Sequence, residues 1–421
     1  MTSALPSAPP LAGLRIVELS SYVATPLCGL TLAQLGAEVI RVEPVGGAPD
    51  RSRWPLARDG SSLYWNGLNA GKRSIEVDLD DPAGRRLVSD LVVFSGGILV
   101  TNTERWQELS FSALRERRQD IVHVLLTGKH DGSTAVDYTV QAGSGFPLVT
   151  GPRDNHAPIN HVLPAWDMAA GLYLAVAVLS AERQRLESGR GGELRLALED
   201  VALATAGQLG YLAQAQVSPE TPRIADGNSI YGTFGRDFVT ADGKRFMIVA
   251  LTTRQWRDLL RMTELDEVML AVGLALAADF SDEGDRYRHR EVIAALVAGW
   301  FQQHDAGYVE QELVKTRILW SPYRSFADLA ADDARALREH PLFGVVDQPG
   351  VGPILAPGSP ITLGQLRGIP AAAPSIGEHT SSVLAEYLEM SPRQIDDAAS
   401  RGVVRDPAPT AVPSRDLRRH S

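Results

Sequence analysis

Asp167 sits in "NHVLPAWDMAAGLYLAVAVLSAER" (160–183), between a tryptophan and a long run of small apolar residues. An aspartate there has two uses. It can cap the helix that the run predicts, or, held in apolar surroundings, it can attack an acyl carbon. The context predicts Asp167 as the N-cap of a helix over 168–183, where the helix dipole and backbone N–H groups keep the carboxylate ionised at neutral pH. His161 and Trp166 lie beside it in sequence, each as readily a packing residue as a substrate contact. Upstream, "RSRWPLAR" carries Arg51, Arg53 and Arg58, and "GKRS" adds Lys72 and Arg73. Such a run reads most simply as solvated basic surface, and its nearness to the first α/β units keeps an anion site open.

Other chemistries find less support. His123, His130, His156 and His161 form neither an H-x-H nor an H-E-x-x-H pattern, and a lone cysteine, Cys28, cannot start a thiolate site, so no metal is expected. "AGSGF" around Ser144 lacks the first glycine of the G-x-S-x-G elbow and reads as a tight turn.

The elements that must position these groups alternate. "LRIVELSS" (14–21) predicts a strand, "PLCGLTLAQLG" (26–36) a helix and "AEVIRVEP" (37–44) a second strand. "RSIEVDLDD" is strand-like, Asp81 caps and Pro82 opens the next helix, "GGILVTN" is a strand, "SALRERRQ" a helix and "DIVHVLLTG" a strand. This predicts a parallel sheet covered on both faces, with ligands beyond the carboxyl ends of its strands, near "SSYVATP" and after Asn102. No G-x-G-x-x-G or G-x-x-x-x-G-K-[ST] follows the first strand, which leaves NAD and ATP without support. "ELRLALED" predicts a strand with Leu194, Leu196 and Leu198 on one face. From about Gly227 the texture changes, with a hairpin expected at Asp242-Gly243, and residues 225–330 read as a second domain.

A chain of 421 residues is long enough for two cores. A net charge of −10 argues against nucleic acid as a partner. One cysteine, no leader and no apolar run long enough to span a bilayer predict a cytoplasmic protein without membrane partners. Residues 1–10 read as a flexible arm and 405–421 as a disordered tail.

Several long stretches together resemble the family III CoA-transferases: "LAGLRIVELSSYVATPLCGLTLAQLGAEVIRVEP", "LYWNGLNAGKRSIEVDLDDPAGRRLVSDLV", "DYTVQAGSGFPLVTG", "PAWDMAAG", "AERQRLESGRGGELRLALEDV" and "PSIGEHTSSVL". A narrower resemblance, carried by "RWPLARDGSSLYWNGLNAGKRSI", "NHVLPAWD", "YGTFGRDF", "WSPYR" and "QPGVGPILAPGSP", is to members that move CoA between the C1 and C4 carboxyls of mesaconyl-CoA.

The resemblance implies an α/β fold with a Rossmann-like large domain (11–224, rejoined by 331–404), a smaller α+β domain (225–330) and an interlocked homodimer. It implies Asp167 as the nucleophile that forms an aspartyl-CoA thioester. CoA enters as part of the acyl-CoA substrate, with no tightly bound cofactor. Tyr22, Val23, Ala24, Val77 and Asn102 are the CoA contacts it suggests, and Arg41, Arg51, Lys72, Arg73, Tyr138 and Ser144 complete the expected CoA or substrate contacts. The dicarboxylate and the CoA phosphates need cations, and Arg53 and Arg236 are further candidates beside Arg51, Lys72 and Arg73. Oxyanion donors are expected among the backbone amides of Gly143–Gly145 or of the helix start at Asp167. Val136 stands where racemases of the family carry a histidine, which weakens racemisation. "GNSIYGTFGRD" replaces the glycine-rich lid of formyl-CoA transferases, and Val23 replaces their glutamine. Transfer of CoA between two separate acids, acyl-CoA racemisation and a catalytically silent acyl-CoA-binding module remain the alternatives.

Overall fold

The computed structural model describes residues 8–154, 157–331, 334–364 and 366–405. Most of the arm and nearly all of the tail expected at the two ends lie outside these. The predicted alternation folds as β1 (Arg15–Leu19), α1 (Ala24–Gln34), β2 (Glu38–Glu43), α2 (Leu63–Asn69), β3 (Arg73–Val77), α3 (Pro82–Ser95), β4 (Ile98–Thr101), α4 (Phe111–Arg117) and β5 (Val122–Thr127). There follow α5 (Asp137–Gly143), α6 (Ala165–Ser188), β6 (Gly192–Ala197) and α7 (Leu198–Gln208).

The six strands pair in parallel in the order β3-β2-β1-β4-β5-β6, and Val404–Arg405 adds an antiparallel edge beside β3. The order reverses between β1 and β4. Chain therefore leaves these two neighbouring strands in opposite directions and a crevice opens at their carboxyl ends.

Local sequence explains several of these elements. Asp81 accepts from Ala83 N at 2.7 Å and Pro82 takes the first helical position of α3, as expected. Val17, Ile40, Ile75 and Leu99 from the central strands are fully buried against Leu91 and Val92 of α3, each burial worth about 1.5–3 kcal/mol. On the other face α1 lies against α6 so closely that a Cβ on Gly171 would meet Ala24 O at 2.7 Å and the Leu27 side chain at 2.9 Å.

Two expectations are corrected. Leu198 is not the last inward residue of a strand: β6 stops at Ala197, and Leu198 is buried as the first residue of α7. An apolar segment long enough to cross a membrane does exist, by length and composition only, in α6. Ala170, Leu174, Ala175, Val178 and Ala181 form its buried stripe, which makes it a core helix of this sheet.

The described residues divide into two compact units, one made of the chain up to Ser144 with 161–216 and the chain from Ala336 onward, the other of 145–160 with 217–335. The second unit therefore includes a short segment before Asp167 that composition alone did not mark. In it, β7 (Phe234–Val239) and β8 (Arg245–Ala250) form the expected hairpin, turning where Gly243 adopts φ +79, and β9 (Leu319–Pro322) pairs with β8. Its core is aromatic, with Phe238 stacked on Phe301 at 4.9 Å and Trp256 edge-on to Phe234.

Candidate active site

The crevice is a cleft of about 860 Å³, within the range of small-molecule sites. Ser21–Ala24 after β1, Asn102–Glu104 after β4 and the loop from the end of β5 to Tyr138 supply its walls. Arg53, Trp54 and Tyr64 join them from the segment between β2 and β3, and Val162, Pro164 and Asp167 enter at the start of α6.

Asp167 is the third residue of α6 and not its cap. Pro164 holds the cap position and offers no side-chain acceptor. The acceptor comes from another element: Asp137, the first residue of α5 and only 3% exposed, accepts from Trp166 N at 2.8 Å and Asp167 N at 3.2 Å through Oδ2. Gln141, one turn along α5, donates to the other carboxylate oxygen of Asp137. The amides at the start of α6 are thus occupied, and the oxyanion role expected of them is corrected accordingly. His161 bonds Leu163 O through Nδ1 at 2.6 Å and sets its ring edge against Trp166, so both pack beside the turn that carries Asp167 and neither lines the cleft.

This arrangement also corrects the expected charge state. Burial pushes the Asp167 carboxyl up, the Asp137 carboxylate pushes it further, and the positive charge of Arg53 opposes both, leaving it at about 7. Near neutral pH the group is divided between its two forms, poised for ionisation as a nucleophile requires. Asp137→Asn keeps an oxygen for the helix amides and removes the like charge. It is expected to shift the acid limb of the kcat/KM–pH profile downward by a fraction of a unit to about one unit. An acid limb that stayed put or rose would contradict the role given to Asp137.

Of the other expected contacts, Tyr22, Val23, Ala24, Asn102 and Tyr138 line the cleft with Asp167. Asn102 also donates to Ser21 O at 3.1 Å and so ties the β4 loop to the β1 loop. Val136 lines the cleft too, exposed and without a proton to give. Several do not meet Asp167. Val77 is fully buried in β3, paired with Val404. Ser144 ends α5 with its hydroxyl on Gln141 O at 2.7 Å. Arg73 is held by Glu38 and Glu386, and Arg51 forms a two-pronged pair with Glu43 at 2.7 and 2.6 Å. Arg236, in the second unit, pairs with Glu291 at 3.0 Å.

Arg41 and Lys72 are corrected most sharply. Both side chains are completely buried and converge on Glu18, Arg41 at 2.7 Å and Lys72 at 2.9 Å. Arg41 also reaches Asp50 and Ser20 O, and Asp50 in turn accepts from Tyr22 N at 2.8 Å. These charges bind the protein's own backbone, and what they hold is the loop after β1, where Tyr22 adopts a left-handed φ of 69°. Asp137, Tyr64 and the loop from Gly128 to Ala135 are site residues that were not singled out beforehand. Asp137 stands in the quoted "DYTVQAGSGFPLVTG", the one signal that could have marked it.

Comparison with known proteins shows the family. The family model described as CoA-transferase family III matches residues 11–380. A 2-methylfumaryl-CoA isomerase of Chloroflexus aurantiacus is 43% identical over 402 residues, covering 94% of this chain and 98% of the relative. A succinyl-CoA:mesaconate CoA-transferase of Haloarcula hispanica is 29% identical, covering 89% of this chain and 96% of the relative. Among solved structures, a CAIB/BAIF family protein from Brucella suis superposes with a TM-score of 0.74 at 24% identity, covering 90% of this chain and all of that one, a likeness of fold.

Proposed function

We infer that this chain, which belongs to CoA-transferase family III, moves CoA between the C1 and C4 carboxyls of mesaconyl-CoA (2-methylfumaryl-CoA). The observation that carries the reading is the half-buried Asp167 carboxyl opening onto the cleft at the switch point of the sheet. The 43% identity to the Chloroflexus isomerase over nearly the whole of both chains supports the choice of acyl group.

In this mechanism Asp167 Oδ attacks the C1 thioester carbonyl and CoA leaves as a thiolate, giving a mixed anhydride. The thiolate attacks the aspartyl carbonyl, which forms an aspartyl-CoA thioester and frees the C1 carboxylate. The C4 carboxylate then attacks that thioester, expelling CoA thiolate and forming the second anhydride. Attack of the thiolate at C4 gives the product and regenerates Asp167. An acid that stays in the cleft makes the net reaction an isomerisation, and retention benefits from the high effective concentration of an acceptor already in place. A homodimer belongs to the same reading: Leu172, Tyr173 and Val176 of α6 are 52%, 47% and 60% exposed, an apolar face that a second copy would cover.

The test is incubation of the enzyme with mesaconyl-C1-CoA and isotopically labelled free mesaconate. Conversion to the C4 thioester without label is the expected outcome. Label in the thioester would mean intermolecular transfer, and hydroxylamine trapping at Asp167 would test the covalent step.

A further inference from the structure

We propose that Arg53 is the residue that selects dicarboxylyl-CoA thioesters, its guanidinium holding whichever substrate carboxylate is not engaged with Asp167. The inference rests on the function proposed above and names the group that recognises the substrate's second charge.

Arg41 and Lys72 are neutralised by Glu18 and Asp50, Arg51 by Glu43 and Arg73 by Glu38 and Glu386. Arg53 differs from all four. It lines the cleft together with Asp167, is exposed to it, and forms no ion pair among the described residues. Two aromatic rings flank it instead, with its guanidinium carbon 5.9 Å from the Tyr22 ring centre and 5.8 Å from that of Tyr64. The aromatic faces steady the guanidinium, Tyr64 also hydrogen-bonds it, and its remaining donors are available for a two-pronged bond to a carboxylate.

The backbone around Arg53 is fixed. Its N–H donates to Asp50 O at 3.1 Å, and its carbonyl accepts from the Ser62 hydroxyl that caps α2. Asp50 is the same residue that accepts from Tyr22 N, so one buried acid sets the spacing of the cation and of one flanking ring. The positive charge of Arg53 is also felt at Asp167. A carboxylate drawn to Arg53 is therefore brought toward the nucleophile, where an unguided dianion would be repelled. In an intramolecular transfer the two substrate carboxyls exchange roles halfway, and one cation can serve both.

The experiment compares wild type, R53Q and R53K with mesaconyl-CoA and with crotonyl-CoA, which has the double bond but no second carboxylate. Enzyme-dependent thioester cleavage in hydroxylamine is the common readout. Read well above pH 7, where Asp167 is ionised in either protein, R53Q is expected to lower kcat/KM for mesaconyl-CoA roughly 10- to 150-fold more than for crotonyl-CoA, the loss of a charge-assisted bond. R53K, which keeps the charge and loses the fork, should recover part of the discrimination. Equal losses on the two thioesters would overturn the proposal, since they would mark Arg53 as a tuner of Asp167 or a structural residue. The isomerase reading is judged by a different readout, the carboxyl that carries CoA in the wild-type product. A wild type that yields no C4 thioester sinks that reading, while discrimination lost in R53Q still upholds Arg53.

Discussion

Asp167→Asn is expected to abolish acyl-CoA turnover, by roughly 10⁴-fold or more if Asp167 has the nucleophilic role proposed for it, and to yield a protein more resistant to denaturant than wild type above pH 7. Both effects have one cause. The fold holds Asp167 half-buried beside Asp137, which raises its carboxyl from the ordinary 3.8 to about 7. Between those values the folded state binds more protons than the unfolded state, so rising pH disfavours folding through this group. The penalty is absent below the lower value, grows between the two and is complete above the upper one.

The full difference corresponds to about 4 kcal/mol at 1.36 kcal/mol per unit, which solvent relaxation around a half-buried group reduces to about 1–2 kcal/mol. The favourable effect of a helix N-terminus on a carboxylate is worth about 0.3–1 kcal/mol at exposed sites, and here it is outweighed. Urea unfolding of wild type and Asp167→Asn at pH 4.5 and 8.5 measures the effect, the advantage of the variant widening at the higher pH. An advantage that narrowed would refute the account. The wild-type kcat/KM should in turn rise with pH through about 7, where Asp167 ionises. Asp167→Ala should also leave the fold intact, because the helix start is capped by Asp137.

Glu18→Gln is the substitution expected to cost the most stability, about 3–5 kcal/mol. Glu18, Glu43 and Asp50 face Arg41, Lys72 and Arg51 beneath the β1 loop, and the side chains of Glu18, Arg41 and Lys72 have no solvent exposure. Burial alone would raise the Glu18 carboxyl, but Lys72 and Arg41 together outweigh it and hold it below its ordinary value. A glutamine of the same shape leaves two buried cations short of an anion. Because the folded-state pKa is depressed, the contribution of Glu18 is present above its ordinary value of 4.5 and is lost as pH falls. The gap between wild type and variant should therefore close in acid. A loss under about 1 kcal/mol near neutral pH would mean that Arg41 and Lys72 are less isolated from water than their burial implies. The kinetic signature is a raised KM, since Tyr22 is held through Asp50 and Arg41.

The β/α alternation was legible because its signals are local. Each strand of the sheet is a short β-branched run, and Asp81 with Pro82 marks a helix start wherever it occurs. Leu198 was misread for the same reason, since a period of two continues past Ala197 into the first turn of α7 and nothing in the residues shows where the chain bends. Arg41, Lys72, Arg51 and Arg73 could not be told from Arg53 by type or spacing. All five are cations near the same loops, and only the positions of Glu18, Glu43, Glu38, Asp50 and Glu386 decide which are spent internally.

By itself the sequence determined the alternating α/β class, the loops where a ligand would bind and, through its likeness to family III CoA-transferases, the residue to regard as nucleophile. These follow from periodicity, from turn chemistry and from motif order, all carried by neighbours along the chain. Tertiary structure alone decided that Asp167 is capped by Asp137, thirty residues earlier, and that its proton is held to about neutral pH. It also decided that Arg53 of the basic run lines the cleft without an ion pair among the described residues. Charge pairing and desolvation depend on distances between remote residues, and those exist only once the chain has folded.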